Sequence, residues 1–81
     1  MIKSLIDLKK GEKGKITSIK GGESKLLRLA ELGVNPGEEI LVSQKSMGPI
    51  IIKVKDTNIA LGEGLAENIY VEVVDHGEDQ N

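Results

Sequence analysis

The stretch RLAELGVNPGEEILV, Arg28 to Val42, decides the fold. It reads as the end of a helix, a helix stop, a tight reversal and the start of a strand. Gly33 stands where a helix takes left-handed dihedrals to end, the C′ position. Val34 follows at C″, placed to touch Leu29 at C3, which is the Schellman arrangement with its hydrophobic contact. Asn35-Pro36-Gly37-Glu38 then has Pro at i+1 and Gly at i+2, the demands of a type II turn. The chain therefore stops a helix, reverses and enters a strand within a few residues. A small β-barrel needs such economy when a helix closes one of its ends.

Upstream of this corner, Leu26, Leu29 and Ala30 share one face of a helix expected over about Lys25 to Glu31, with Arg28 and Glu31 on the other. Ser24 is the expected N-cap, and Gly21-Gly22 separates the helix from a preceding strand. Two turns of helix are too short to be stable alone, so this helix must pack on something. The preceding strand is KITSI, Lys15 to Ile19, with β-branched residues at three positions. Ile16 and Ile19 break strict alternation, and a bulge near Thr17 or Ser18 is the simplest repair. KKGEKG, Lys9 to Gly14, reads as a polar loop, and Leu5 to Leu8 as a short apolar lead-in.

Downstream, Glu39 to Gln44 reads as a strand with Ile40 and Val42 on one face and Leu41 on the other. Lys45 to Pro49 is a hairpin connection. Ile50, Ile52 and Val54 alternate with Ile51, Lys53 and Lys55, the pattern of a half-buried strand. Asp56-Thr57-Asn58 is the expected turn, and Ile59 and Leu61 form a short strand. LAENI makes a helical turn, and Tyr70 to Val74 closes the fold. The reading is a mainly β fold: a small barrel of about five strands with one short inserted helix. The expected domain is 1–74. Residues 75–81, DHGEDQN, carry no apolar side chain and are expected to form a disordered acidic tail.

Composition narrows the function. The chain has 81 residues, 38% of them hydrophobic, with one Tyr and neither Phe nor Trp, so the core must be built from Ile, Leu and Val. A chain this short buries only roughly 60–65% of the surface its unfolded form exposes. There is no Cys, which excludes disulfides and thiolate metal sites. No apolar run approaches a membrane span, and no h-region follows Met1, so a soluble cytoplasmic protein is expected. The 13 acidic residues include Asp75, Glu78 and Asp79; setting those three aside leaves 10 against 11 basic residues. Such a balance lacks the basic patch of a nucleic-acid binder. The aromatic poverty excludes both the aromatic-lined groove that takes Pro-rich peptides and a base-stacking platform.

No nucleophile–base pair can be assembled, and no enzymatic activity is expected. His76, the sole histidine, lies in the acidic tail, where no second shell would hold it as a ligand. No metal or cofactor site is therefore assigned. Gly21-Gly22 lacks the Lys-Ser/Thr of a phosphate loop and serves as a break before the helix. Arg28 is the only arginine. Arginine fingers usually come from loops, whereas Arg28 is mid-helix, so a simpler electrostatic contact with a partner fits it better. Leu27 lies about 100° from the centre of the apolar stripe. It either covers the barrel edge or marks a docking surface. Met47, at a loop tip, raises the same question. Lys25, Leu27, Arg28 and Met47 are the candidate partner-binding residues.

The pieces SLIDLKKGEKGKITSI (4–19), LLRLAELGVNPGEEILV (26–42) and GPIIIKVKDTNIALGEGLAENIYVEV (48–73) resemble, in order and spacing, the FeoA family of bacterial ferrous iron uptake. The most specific piece is the leucine-rich helix running into LGVNPGEEI. The resemblance covers about Leu5 to Val74 and implies an SH3-like barrel with a helix inserted between strands. It also implies a partner, the cytosolic GTPase part of the FeoB ferrous iron transporter, with no nucleic acid and no membrane insertion. The same domain type forms the C-terminal module of iron- and manganese-dependent repressors, so the alternative is a metal-responsive regulatory domain.

Overall fold

The computed structural model describes residues 1–45 and 47–75. Six strands form one antiparallel sheet, β1 (Ile2–Ser4), β2 (Lys13–Ile19), β3 (Glu39–Lys45), β4 (Ile50–Val54), β5 (Thr57–Leu61) and β6 (Ile69–Asp75). Helix α1 (Glu23–Glu31) is inserted between β2 and β3, and the short α2 (Glu63–Ala66) between β5 and β6. The strand order is β1-β6-β2-β3-β4-β5, so β1 and β5 end the sheet and do not pair with each other. The mainly β architecture with one short inserted helix is as the sequence predicts.

The core is aliphatic throughout. Ile40 and Val42 of β3, Ile50, Ile52 and Val54 of β4, Ile59 and Leu61 of β5, and Ile69, Val71 and Val73 of β6 are all buried. Each set alternates along its strand with more exposed residues, because successive strand side chains point to opposite faces. The bulge also falls where the broken alternation requires it: the β2–β6 register shifts between Ile16 and Ser18. Thr17 is the extra residue, and its hydroxyl donates to the Tyr70 carbonyl at 3.1 Å.

The corner is built as its sequence dictates. Val34 N–H donates to the Leu29 carbonyl and Gly33 N–H to the Ala30 carbonyl, each at 2.9 Å. This is the six-to-one and five-to-two pair of a Schellman stop. Leu29 and Val34 are both fully buried in the core. Glu38 N–H closes the following turn on the Asn35 carbonyl at 3.1 Å, and Gly37 has φ 96°. The turn is stitched to β2 by Gly37 N–H on the Ile16 carbonyl and Ile16 N–H on the Glu38 carbonyl. Gly33 has φ 89° with no heavy atom near the position of an added Cβ. Gly33→Ala should therefore cost about 1–2 kcal/mol from backbone strain alone. Urea unfolding measures it. A gain in stability would mean that the helix continues through Gly33.

Several expectations need correction. The sequence predicts about five strands, but Ile2, Lys3 and Ser4 pair with Glu72, Val71 and Tyr70 and add a sixth. β2 begins at Lys13, so Lys13 and Gly14 belong to the strand and not to the loop. The β4–β5 turn is Lys55-Asp56, since Val54 pairs directly with Thr57. Lys55 takes φ 58° there, as a two-residue hairpin of this hand demands. Helix α1 begins two residues before the expected start, with Gly22 and not Ser24 at its N-cap and no side-chain capping bond. Leu26 and Ala30, expected in the core, are exposed.

Two polar contacts had no signal in the pattern. Glu12 is buried, and its carboxylate accepts from Lys9 N–H at 2.7 Å and lies 3.9 Å from the Lys3 ammonium. Lys45 donates through Nζ to the carbonyls of Ile6 and Leu8, at 2.5 and 2.7 Å, at the end of the 3-10 turn Leu5–Asp7. Both tie the first connection down, and both pair residues whose sequence neighbourhoods reveal nothing of the partner.

Candidate partner-binding surface

Helix α1 is held at both ends and touches the core through one residue. Gly21 and Gly22 both have positive φ, 98° and 91°, which turns the chain out of β2. Lys20 N–H donates to the Asn68 carbonyl at 2.7 Å, anchoring the start beside the end of α2. Glu23 lies in the first turn, where a carboxylate is favoured by the helix dipole. The far end is fixed by the Schellman stop. Between these anchors only Leu29 is buried.

At about 100° per residue, Leu26 and Leu32 flank Leu29 on either side, while Leu27 falls nearly opposite it. The exposures follow: Leu29 0%, Leu26 38%, Leu32 45% and Leu27 57%. Leu27 is exposed and does not cover the barrel edge. Arg28 is exposed in the last turn of α1, where a cation complements the dipole. Lys25 is half-buried, with its aliphatic stem lying over Gly21 so closely that a Cβ there would meet Lys25 Cδ at 2.6 Å. Among the described residues neither Lys25 nor Arg28 makes an ion pair. The helix thus presents two cationic side chains and three partly exposed leucines.

Met47 is 96% exposed, but it stands on the β3–β4 connection, and no described contact joins it to α1. The structure brings three of the four candidate residues onto one element and leaves the fourth apart. Sequence reasoning missed Leu26 and Leu32 as surface residues. The apolar periodicity carries no signal for them, because it does not show that the helix docks by Leu29 alone.

Two open grooves mark the rest of the surface. One, of about 230 Å³, lies beside the corner between Leu32, Asn35, Val54 and Ile59. The other, of about 380 Å³, lies on the outer sheet face between Lys13, Leu41, Lys53 and Val74. Among the described residues no three His, Asp or Glu side chains are grouped to hold a metal ion. His76 lies outside the described residues. Among the described residues no helix is long and apolar enough to cross a membrane.

The comparisons agree on one family. The family model described as "FeoA domain" matches residues 3–73. The Methanocaldococcus jannaschii protein named "Putative Fe(2+) transport protein A" is 39% identical over 69 residues, covering 85% of this chain and 84% of that one. A crystal structure of an iron uptake regulatory protein, FeoA, superposes with TM-score 0.85 at 38% identity, covering 91% of this chain and 99% of the other. Zinc-complexed FeoA from Stenotrophomonas maltophilia, described as a procaryotic SH3 domain protein, superposes with TM-score 0.72 at 26% identity over 89% of each chain. A manganese-dependent transcriptional repressor shares the fold at 21% identity and TM-score 0.82, with only 37% of its chain covered. The aliphatic six-stranded sheet, the helix inserted at the Schellman corner and the family match over residues 3–73 converge: this chain belongs to the FeoA family of small ferrous iron transport accessory proteins.

Proposed function

We propose that the chain is a non-enzymatic cytoplasmic accessory protein that binds the cytosolic GTPase part of the FeoB ferrous iron transporter and modulates it. The contact is the outward face of α1, with Leu27 as the apolar anchor and Lys25 and Arg28 as flanking cations. Met47 is a second, separate contact point. The observation that carries this reading is a leucine 57% exposed on the side of a doubly anchored helix opposite its single buried residue. An exposed apolar side chain on a rigid element costs little ordering entropy when it docks.

The test is titration of the transporter's soluble domain with the purified chain, in GTP, in GDP and without nucleotide. Saturable binding in at least one state is expected. Absence of binding in all three would remove the adaptor reading. The metal-responsive alternative makes a different forecast, a saturable rise in the unfolding midpoint with Mn²⁺, because a ligand bound to the native state alone stabilises it by mass action.

A further inference from the structure

The sheet ends in two edge strands, and they are guarded unequally. β1 is short and carries Lys3, two of the devices by which natural edges refuse a further strand. β5, Thr57–Leu61, is longer and has neither a charge nor a proline. Its register with β4 runs without a bulge. Thr57, Asn58 and Ala60 are exposed.

The direction of the free backbone groups follows from the turn. Val54 and Thr57 close the Lys55-Asp56 hairpin, so they form a hydrogen-bonded pair. Bonded and non-bonded pairs alternate along an antiparallel ladder, which makes Ile52–Ile59 and Ile50–Leu61 the next bonded pairs. Asn58 and Ala60 therefore aim their N–H and C=O groups away from β4. Among the described residues no backbone group of another element bonds to either. The edge runs beside the 230 Å³ groove, which Thr57 and Ile59 line together with Leu32.

We propose that this edge takes the β5 strand of a second copy of the chain, antiparallel about a two-fold axis at Ile59. Outward backbone groups must meet outward groups, so the axis passes through a residue and not between two. Only an axis at Ile59 pairs Thr57–Leu61 along its whole length. Asn58 of each copy then exchanges backbone hydrogen bonds with Ala60 of the other, in both directions. The same register lays the Lys55 end of one strand beside Glu63 of the second copy, and Asp56 opposite Gly62. Lys55 has Glu38 at 3.8 Å, but its side chain is 78% exposed and keeps donors to spare. The edge is thus complementary to itself, neutral along its length and opposite in sign at its two ends. The contact does not use Leu27 and stands apart from the transporter reading.

A contact of one short strand belongs to the small, transient class of interfaces. Sedimentation equilibrium of the full chain, from about 10 μM to about 1 mM, should therefore show a monomer–dimer equilibrium that reverses on dilution. Asn58→Lys/Ala60→Lys opposes like charges across the axis at exposed positions, where substitutions hardly affect stability. That chain should keep its melting temperature within a few degrees and dimerise at least about tenfold more weakly. Ala60→Pro, which removes an outward N–H and no bond to β4, should give the same loss. Disulfide formation reads the register, since the chain has no Cys of its own. Bonded partners in such a ladder have Cα atoms about 5.5 Å apart, within reach of a disulfide. A mixture of Asn58→Cys and Ala60→Cys chains should therefore cross-link faster with each other than either does with itself. A monomer at every concentration would overturn the proposal. So would a dimer that survives the paired lysines and the proline, or cross-linking no faster in the mixture than in either chain alone.

Discussion

Leu29→Ala should destabilise the protein by about 2–5 kcal/mol, the range for emptying a buried leucine site. Leu29 is fully buried and is the only residue of α1 that is. Its removal leaves a cavity in the core and also detaches the helix, since Val34 packs into the same cluster through the Schellman stop. A domain of this size has a total stability of only about 4–12 kcal/mol, so chemical denaturation should show a large loss. Leu26→Ala and Leu27→Ala, three and two residues away on exposed faces, should each change stability by less than about 1 kcal/mol. Equal losses at all three positions would mean that α1 is buried along its whole circumference.

Gly14→Ala should be comparably damaging, for a different reason. A Cβ on Gly14 would sit 2.3 Å from Val71 Cγ1 and 2.6 Å from the Glu72 carbonyl oxygen. The valine could rotate away, but the carbonyl belongs to the backbone of β6. Relief requires moving two strands apart at the Lys13–Gly14 register shift. Overpacking of this kind costs about 1–3 kcal/mol and occasionally more, and a backbone obstacle puts Gly14→Ala at the upper end. The controls are Gly62→Ala and Gly64→Ala, where nothing lies within 4 Å and φ is not positive. Those changes should be neutral or stabilising by about 0.4–1 kcal/mol. Thermal melts of the three variants side by side decide the matter.

Gly14 also shows where sequence reasoning stops. Gly33 and Gly37 announce themselves, because a helix stop and a Pro-Gly turn have local signatures that depend on a few neighbours. The clash that keeps Gly14 a glycine comes from Val71 and Glu72, far away in sequence, and nothing in KKGEKG reveals it. The same distinction explains the strands. β3, β4 and β5 bury one face and expose the other, so their period-two pattern was legible. β1 has three residues and gains its identity from pairing with β6, which no local pattern encodes.

The helix followed a third course. Its stop and its approximate span were readable, but its buried face was drawn too wide. Hydrophobic periodicity gives the direction in which a helix faces the core. It does not give the depth to which the helix sinks. With one residue of contact, Leu26 and Ala30 remain at the surface although they share the apolar stripe. For the same reason the partner-binding candidates Leu27 and Arg28 were found from their angular position, while Leu26 and Leu32 were not. Met47 was named from its loop position alone, and it stands apart from the others.

The proposed contact with the transporter requires α1 to be a rigid helix with its anchor on the outward side. The most direct measurement is the affinity of Leu27→Gln for the transporter's soluble GTPase domain, relative to the unaltered chain, in the nucleotide state that binds best. A melting temperature unchanged within a few degrees is expected, with binding weakened about tenfold or more, as loss of an interface anchor worth at least about 1.4 kcal/mol requires. Leu27→Gln binding as tightly as the unaltered chain would contradict the proposed contact.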